Sequence, residues 1–316
     1  MSIDVVVAGG CTVDVVHATD GSTAGRQPGG SALYAGVGAR IWGLRPGVVA
    51  LRGTGLPDGW DDLLEGLGFD LDGLVSVPHP VPVNEFFYKV DGTRTQRPWS
   101  PEGRGTPMPH LRADLGEPIR HVPLLPAHVP ARYRQARGAH LAPMTYPVQR
   151  DLIESLAAVR ALTLDPYPHV MAERPDTELN ALLRPLAAFL PSEEEVTARF
   201  PGVPLEEVTV RLSRLGARVV VIKRGPLGSH MYDSPASRHY AIPALPVGAR
   251  DPTGAGDAFC GGFLAGLVLG GDSVHAALCG TVAASFVVED FWFRAAMNAD
   301  PAERDRRYAW VQERVQ

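Results

Sequence analysis

Arg250 to Gly271 reads RDPTGAGDAFCGGFLAGLVLGG, which sets a carboxylate directly after a glycine-rich turn and directly before an apolar run. Glycine at a helix start lets backbone N–H groups converge on one point, and a helix N-terminus carries partial positive charge. Together they make a seat for an anion, typically a phosphate. Asp257 falls on the first turn of the predicted helix, beside that seat. A carboxylate there can take the proton of a hydroxyl that attacks a phosphoryl group. The run from Ala258 to Leu269 is apolar on nearly every side, so it belongs in a core, and a core helix holds its first turn rigidly. An isolated Gly-x-Gly-Asp reads equally well as a turn with a capping aspartate.

Further chemistry lies near the N-terminus. Asp4 to Gly9 is a β-branched run ending in glycine, a buried strand. Asp14 follows among valines. Gly29-Gly30 then precedes a small-residue helix over 32–42, and such a pair lets a ligand approach the backbone. By spacing alone, Asp14 reads as a turn or edge-strand aspartate and Gly29-Gly30 as a tight turn. No GxGxxG opens the first helix and no GxxxxGK[ST] occurs, which excludes a dinucleotide fingerprint and a P-loop.

DPTGAGDAF followed by a Gly-rich apolar helix closely resembles the second signature of the ribokinase-like (PfkB) carbohydrate kinases. The strand, Asp14, short hairpin and Gly29-Gly30 resemble that family's first region. The resemblance implies an α/β/α three-layer sandwich with a mostly parallel central sheet. It implies one domain over 1–316 and a small β lid from about 12–28 and 80–100. It implies transfer of the γ-phosphoryl of ATP, with Mg²⁺, to a hydroxyl of a small sugar or sugar-like polyol. A nucleoside or cyclitol acceptor, or a non-catalytic binding role on the same fold, remains open.

Residue roles follow from the same resemblance. Asp257 is the catalytic base, and Gly254, Ala255 and Gly256 form the anion hole. Asp251 and Thr253 fix the loop and line the nucleotide side. Asp14 takes a substrate hydroxyl pair, bordered by Gly29 and Gly30. Asn84, Phe86, Tyr88 and Arg97 lie on a hairpin expected over the substrate, though an ordinary surface hairpin reads as well. Gly225 and Gly228 form a turn beneath the nucleotide, and Lys223 and Arg224 lie within reach of its phosphates. Glu195 stands behind Mg²⁺ through water. The family's Asn-x-x-Glu carries Ser192 here at the Asn position, and Ser192 also suits a helix cap before Glu193-Glu194-Glu195. Phe291 or Trp292 either stacks on a base or packs in the core.

Composition bounds the rest. Hydrophobic residues make up 45% of 316 positions, normal for a sizeable core. A net charge of −5 without a basic run argues against nucleic acid or an anionic membrane as main partner. Cys11, Cys260 and Cys279 are widely spaced, so neither a disulfide framework nor a zinc site is implied, and His110, His121 and His128 fit no metal spacing. No signal-peptide pattern opens the chain and no apolar run spans a bilayer, which predicts a soluble cytoplasmic protein. The short gap between Asp14 and Gly29 predicts a small lid, with either a more open site or a weaker homodimer contact through it.

Overall fold

Valine-rich strands that are apolar on both faces must be covered on both faces. The computed structural model, which describes residues 2–89, 94–98 (the backbone only at 97 and 98) and 122–316, shows how. Among these residues thirteen strands form two sheets. They are β1 (Val5–Ala8), β2 (Thr12–His17), β3 (Thr23–Gly29), β4 (Pro46–Thr54), β5 (Asp70–Pro80), β6 (Val83–Tyr88) and β7 (Arg94–Pro98). The remainder are β8 (Gly138–Leu141), β9 (Ala161–Leu164), β10 (Ala188–Phe189), β11 (Val219–Lys223), β12 (Ser229–Asp233) and β13 (Arg238–Ile242).

The large sheet has the order β13-β12-β11-β10-β9-β8-β1-β4-β5. It is parallel from β5 through β11 and closes with an antiparallel hairpin, β12–β13. Alternate strand residues face opposite layers. Val6, Ala8, Leu141, Leu164, Phe189 and Ile222 pack against helices Tyr146–Ser155, Asp176–Leu183 and Leu205–Arg214. On the other face Val7, Val48, Val219 and Val221 join helices Ser31–Ile41, Ala255–Val268 and Ser273–Val287. The result is an α/β/α three-layer sandwich. Beside it stands a four-stranded sheet, β3-β2-β6-β7, in which β2 pairs parallel with β6. It has its own small core of Val16, Ala18, Ala24, Phe86 and Phe291.

Residues 70–80 form the edge strand β5, whose outer half alternates between half-buried and exposed positions. At the other edge 238–242 pair with β12. Two short helices, Pro168–Glu173 and Asp176–Leu183, lie between β9 and β10. His110 and His121 lie outside the described residues.

Helix Ala255–Val268 packs unusually close to its neighbours. A Cβ at Gly261 would overlap the carbonyl of Ala35, and at Gly266 it would meet the Cα of Ala276 at 2.6 Å. Only glycine allows such backbone contact. All three cysteines are free and buried. Among the described residues no helix is long and apolar enough to cross a membrane.

Candidate active site

Gly254, with φ of 75°, is the N-cap of helix Ala255–Val268 and supplies no side chain to its first turn. A Cβ there would strike the ring of Tyr34, which is itself buried. The Ala255 amide donates to the Pro252 carbonyl at 3.2 Å, but those of Gly254, Gly256 and Asp257 meet no acceptor among the described residues. Three open donors at a helix N-terminus are an anion seat. Asp251 holds the loop from below: its Oδ1 accepts from Thr253 N at 2.9 Å and its Oδ2 from Trp292 N at 3.0 Å. Thr253 Oγ1 shares a hydrogen bond of 2.8 Å with Tyr88 Oη, so Thr253 is tied to the lid.

Asp257 is part-exposed yet hemmed in by protein, as in a cleft. Burial pushes its carboxyl up to about 6, against the pull of Lys223 and Arg94. Lys223 reaches beneath the helix start, with Nζ 3.7 Å from where a Cβ of Gly256 would stand. Its ammonium pairs with Asp165 and lies 3.5 Å from Cys260 Sγ. Burial works against that charge, but Asp165, Cys260 and Glu195 outweigh it and raise the Lys223 pKa well above its ordinary value.

Glu195 sits on the far side of Lys223. Its Oε2 accepts from Ser192 N at 2.7 Å, while Ser192 Oγ accepts from Glu195 N at 3.3 Å. This is a reciprocal capping box, and it shows what the serine does at that position. Burial, then Asp165, lifts Glu195 to about 7. Asp165 Oδ1 is buried with no hydrogen-bond partner among the described residues. Hard carboxylate oxygens of this kind suit Mg²⁺ held through water.

Asp14 lies on β2 at the lid root and is 4% exposed. Its Oδ1 accepts from Asn84 Nδ2 at 3.0 Å and Thr12 Oγ1 at 2.9 Å, and Asn84 Oδ1 accepts from Gln96 Nε2 at 3.1 Å. Its Oδ2 has no hydrogen-bond donor among the described residues and lies against Gly29, where a Cβ would overlap it. Gly30, with φ of 104°, caps helix Ser31–Ile41 against the Gly10 carbonyl. Burial lifts Asp14 to about 6 over the opposing hydrogen bonds, with Asp251 raising it further. Asp14 and Asp257 each raise the Tyr34 hydroxyl, and Asp14 raises Asp257 in turn.

Register sets Arg97 opposite Glu85, on the strand positions alternate to Asn84 and Phe86, and its side chain lies outside the described residues. Arg94 is opposite Tyr88 instead, on the Asn84 face. Its side chain reaches solvent while surrounded by protein, hydrogen bonds Tyr88 and feels Asp257. The sequence reading missed it. The hairpin's two-residue alternation held the signal, since Arg94 shares the phase of Gln96. Arg224 pairs with Glu193 at 3.2 Å. Gly228 is glycine because β12 starts against the Ile242 carbonyl, whereas Gly225 faces open space. Phe291 and Trp292 are buried, which removes base stacking in this arrangement.

The parallel sheet with its β lid is the ribokinase-like fold. Residues 159–296 match the family model described as pfkB family carbohydrate kinase. Over that span the chain is similar to the PfkB kinases. It is 28% identical over 267 residues to the cytidine kinase of Thermococcus kodakarensis, covering 84% of this chain and 88% of that protein. The fold matches the nucleoside kinase of Methanocaldococcus jannaschii with a TM-score of 0.69 at 18% identity, over 98% of this chain and 99% of that one. It matches ribokinase of Arabidopsis thaliana, solved with ribose and ATP, with a TM-score of 0.68 at 19% identity over the same shares.

Proposed function

We propose that this PfkB-family phosphotransferase moves the γ-phosphoryl of ATP to a hydroxyl of a small sugar or sugar-like polyol. The observation that carries the reading is the placement of Asp257 on the helix start that presents the open amides of Gly254, Gly256 and Asp257, with Asp14 near enough to raise its carboxyl. The acceptor's hydroxyl pair binds Oδ2 of Asp14, and the reacting hydroxyl gives its proton to Asp257 as the P–O bond forms. Charge on the transferring oxygens is met by the open amides and by Lys223. Gly225 and Gly228 border the nucleotide. Glu195 would hold Mg²⁺ through water, and the ion would neutralise phosphate charge.

The cytidine kinase relative supports a second reading, in which the hydroxyl pair belongs to the ribose of a nucleoside. A screen of ATP consumption over sugars, polyols and nucleosides tests both, and no turnover on any acceptor rejects both. Asp14→Ala is expected to raise the acceptor KM about 10- to 100-fold, the worth of a charged hydrogen bond. An unchanged KM would clear Asp14 of acceptor contact.

The two raised carboxylates give a pH signature. Each acts only when ionised, and both bind protons near pH 6, so activity is lost as pH falls. Below about pH 6 the log of kcat/KM should fall steeply, and the slope for the residual activity of Asp14→Asn should be lower by about 1. A profile flat down to about pH 5 contradicts both assignments.

A further inference from the structure

The segment after helix Ser273–Val287 is built into the lid. Phe291 is 4% exposed and packs with Val16, Ala18, Ala24 and Phe86, all from the lid, with Tyr88 against the cluster. The guanidinium of Arg250 lies 4.5 Å over the Phe291 ring and pairs with Asp290 at 3.2 Å. The next residue, Trp292, has φ of 61°, a conformation that a bulky side chain adopts only when its surroundings enforce it. There its N–H donates to Asp251 Oδ2 at 3.0 Å.

A second path leads from lid to loop. Tyr88 on β6 holds Thr253 Oγ1 at 2.8 Å, and Thr253 N donates to the same Asp251 carboxylate, through Oδ1 at 2.9 Å. The contacts close a ring: lid, Tyr88, Thr253, Asp251, Trp292, Phe291, lid. Asp251 is fully buried and Thr253 nearly so, so water does not compete for these bonds. Thr253 directly precedes Gly254. The ring therefore joins the sheet that carries Asp14 and Asn84 to the open amides of the helix start.

We propose that Tyr88 and Phe291 are positioning residues, which set the anion hole from the lid so that an acceptor seated on Asp14 completes the phosphate seat. The inference rests on the kinase reading above. Neither side chain need touch a reactant, so their loss acts on the rate of transfer and not on ground-state binding.

The test compares Tyr88→Phe, Phe291→Ala, Phe291→Leu and the double variant Tyr88→Phe/Phe291→Ala, using whichever acceptor the screen identifies. Tyr88→Phe removes one oxygen, which meets both Thr253 and Arg94, and is expected to lower kcat at least about tenfold, with both KM values within about twofold. Phe291→Ala should do the same and Phe291→Leu should recover most of the rate. The double variant should lose no more than the worse single one, because both act through one ring. A wild-type kcat for Tyr88→Phe, or losses that multiply, overturns the proposal. Amide hydrogen exchange keeps this separate from a failure of the kinase reading. In Tyr88→Phe without nucleotide, exchange at Thr253 and Trp292 should quicken about tenfold while β6 keeps its own protection. Unchanged exchange at both residues overturns the inference even if no acceptor is ever phosphorylated.

Discussion

Asp257→Asn is expected to lower kcat by about 10²- to 10⁴-fold, the range for removing a positioned general base. The substitution keeps side-chain shape and the helix start, so nucleotide binding should persist. Calorimetry with a non-hydrolysable ATP analogue would show a dissociation constant within about threefold of wild type, since one charge near the phosphates is removed, not added. The pattern matters more than the size. Asp257 lies on a first helical turn whose other groups are backbone amides, so a general electrostatic role would alter binding as strongly as turnover. Near-normal kcat in Asp257→Asn would remove the base assignment. It would leave the anion hole and Lys223 as the only chemistry at this helix start.

Lys223→Met is the second large effect, and it acts on two quantities. The side chains of Lys223 and Asp165 are 12% and 5% exposed, and removing one partner of such a pair costs about 3–5 kcal/mol because the other charge is stranded. Turnover should also fall, by about 10²–10³-fold, the range for losing one donor to the developing charge. The double variant Lys223→Met/Asp165→Leu separates the two. Replacing both partners with apolar groups is often neutral for stability, so the midpoint of unfolding should return toward wild type. Turnover should not return. Recovery of both would make Lys223 a structural counter-ion with no part in phosphoryl transfer.

The parts of this site legible in the sequence are those encoded within a few neighbouring residues. A helix start with its glycines and carboxylate is one such unit, and Ser192 with Glu195 is another. The capping box there satisfies the sequence's cap and leaves Glu195 facing Lys223 and Asp165. The parallel sheet was legible because β1 is apolar throughout and β8, β9 and β11 each carry a single polar residue. What escaped was set by contacts far apart in the chain. Phe291 is adjacent in sequence to nothing in the lid, and only the folded chain brings it to Phe86. Arg94 escaped because a hairpin without a fixed register offers two phases, and only ladder pairing sets Arg94 on the face of Asn84. β5 and β13 are edge strands with exposed positions, so the unbroken apolar run that marks a central strand is missing.

The close seating of helix Ala255–Val268 on the carbonyl of Ala35 and the backbone at Ala276 bears on how such a chain changes its acceptor over generations. A methyl group added at Gly261 meets main chain, which has no rotamer to yield, so the carboxylate's mount is fixed to a fraction of an ångström. Drift toward a new alcohol is therefore channelled into strands β2, β3, β6 and β7. There, several side chains are half-exposed and, Asp14, Asn84 and Tyr88 aside, a substitution disturbs a thin sheet and not the keystone. Libraries aimed at altered selectivity belong in those strands, with the helix left untouched.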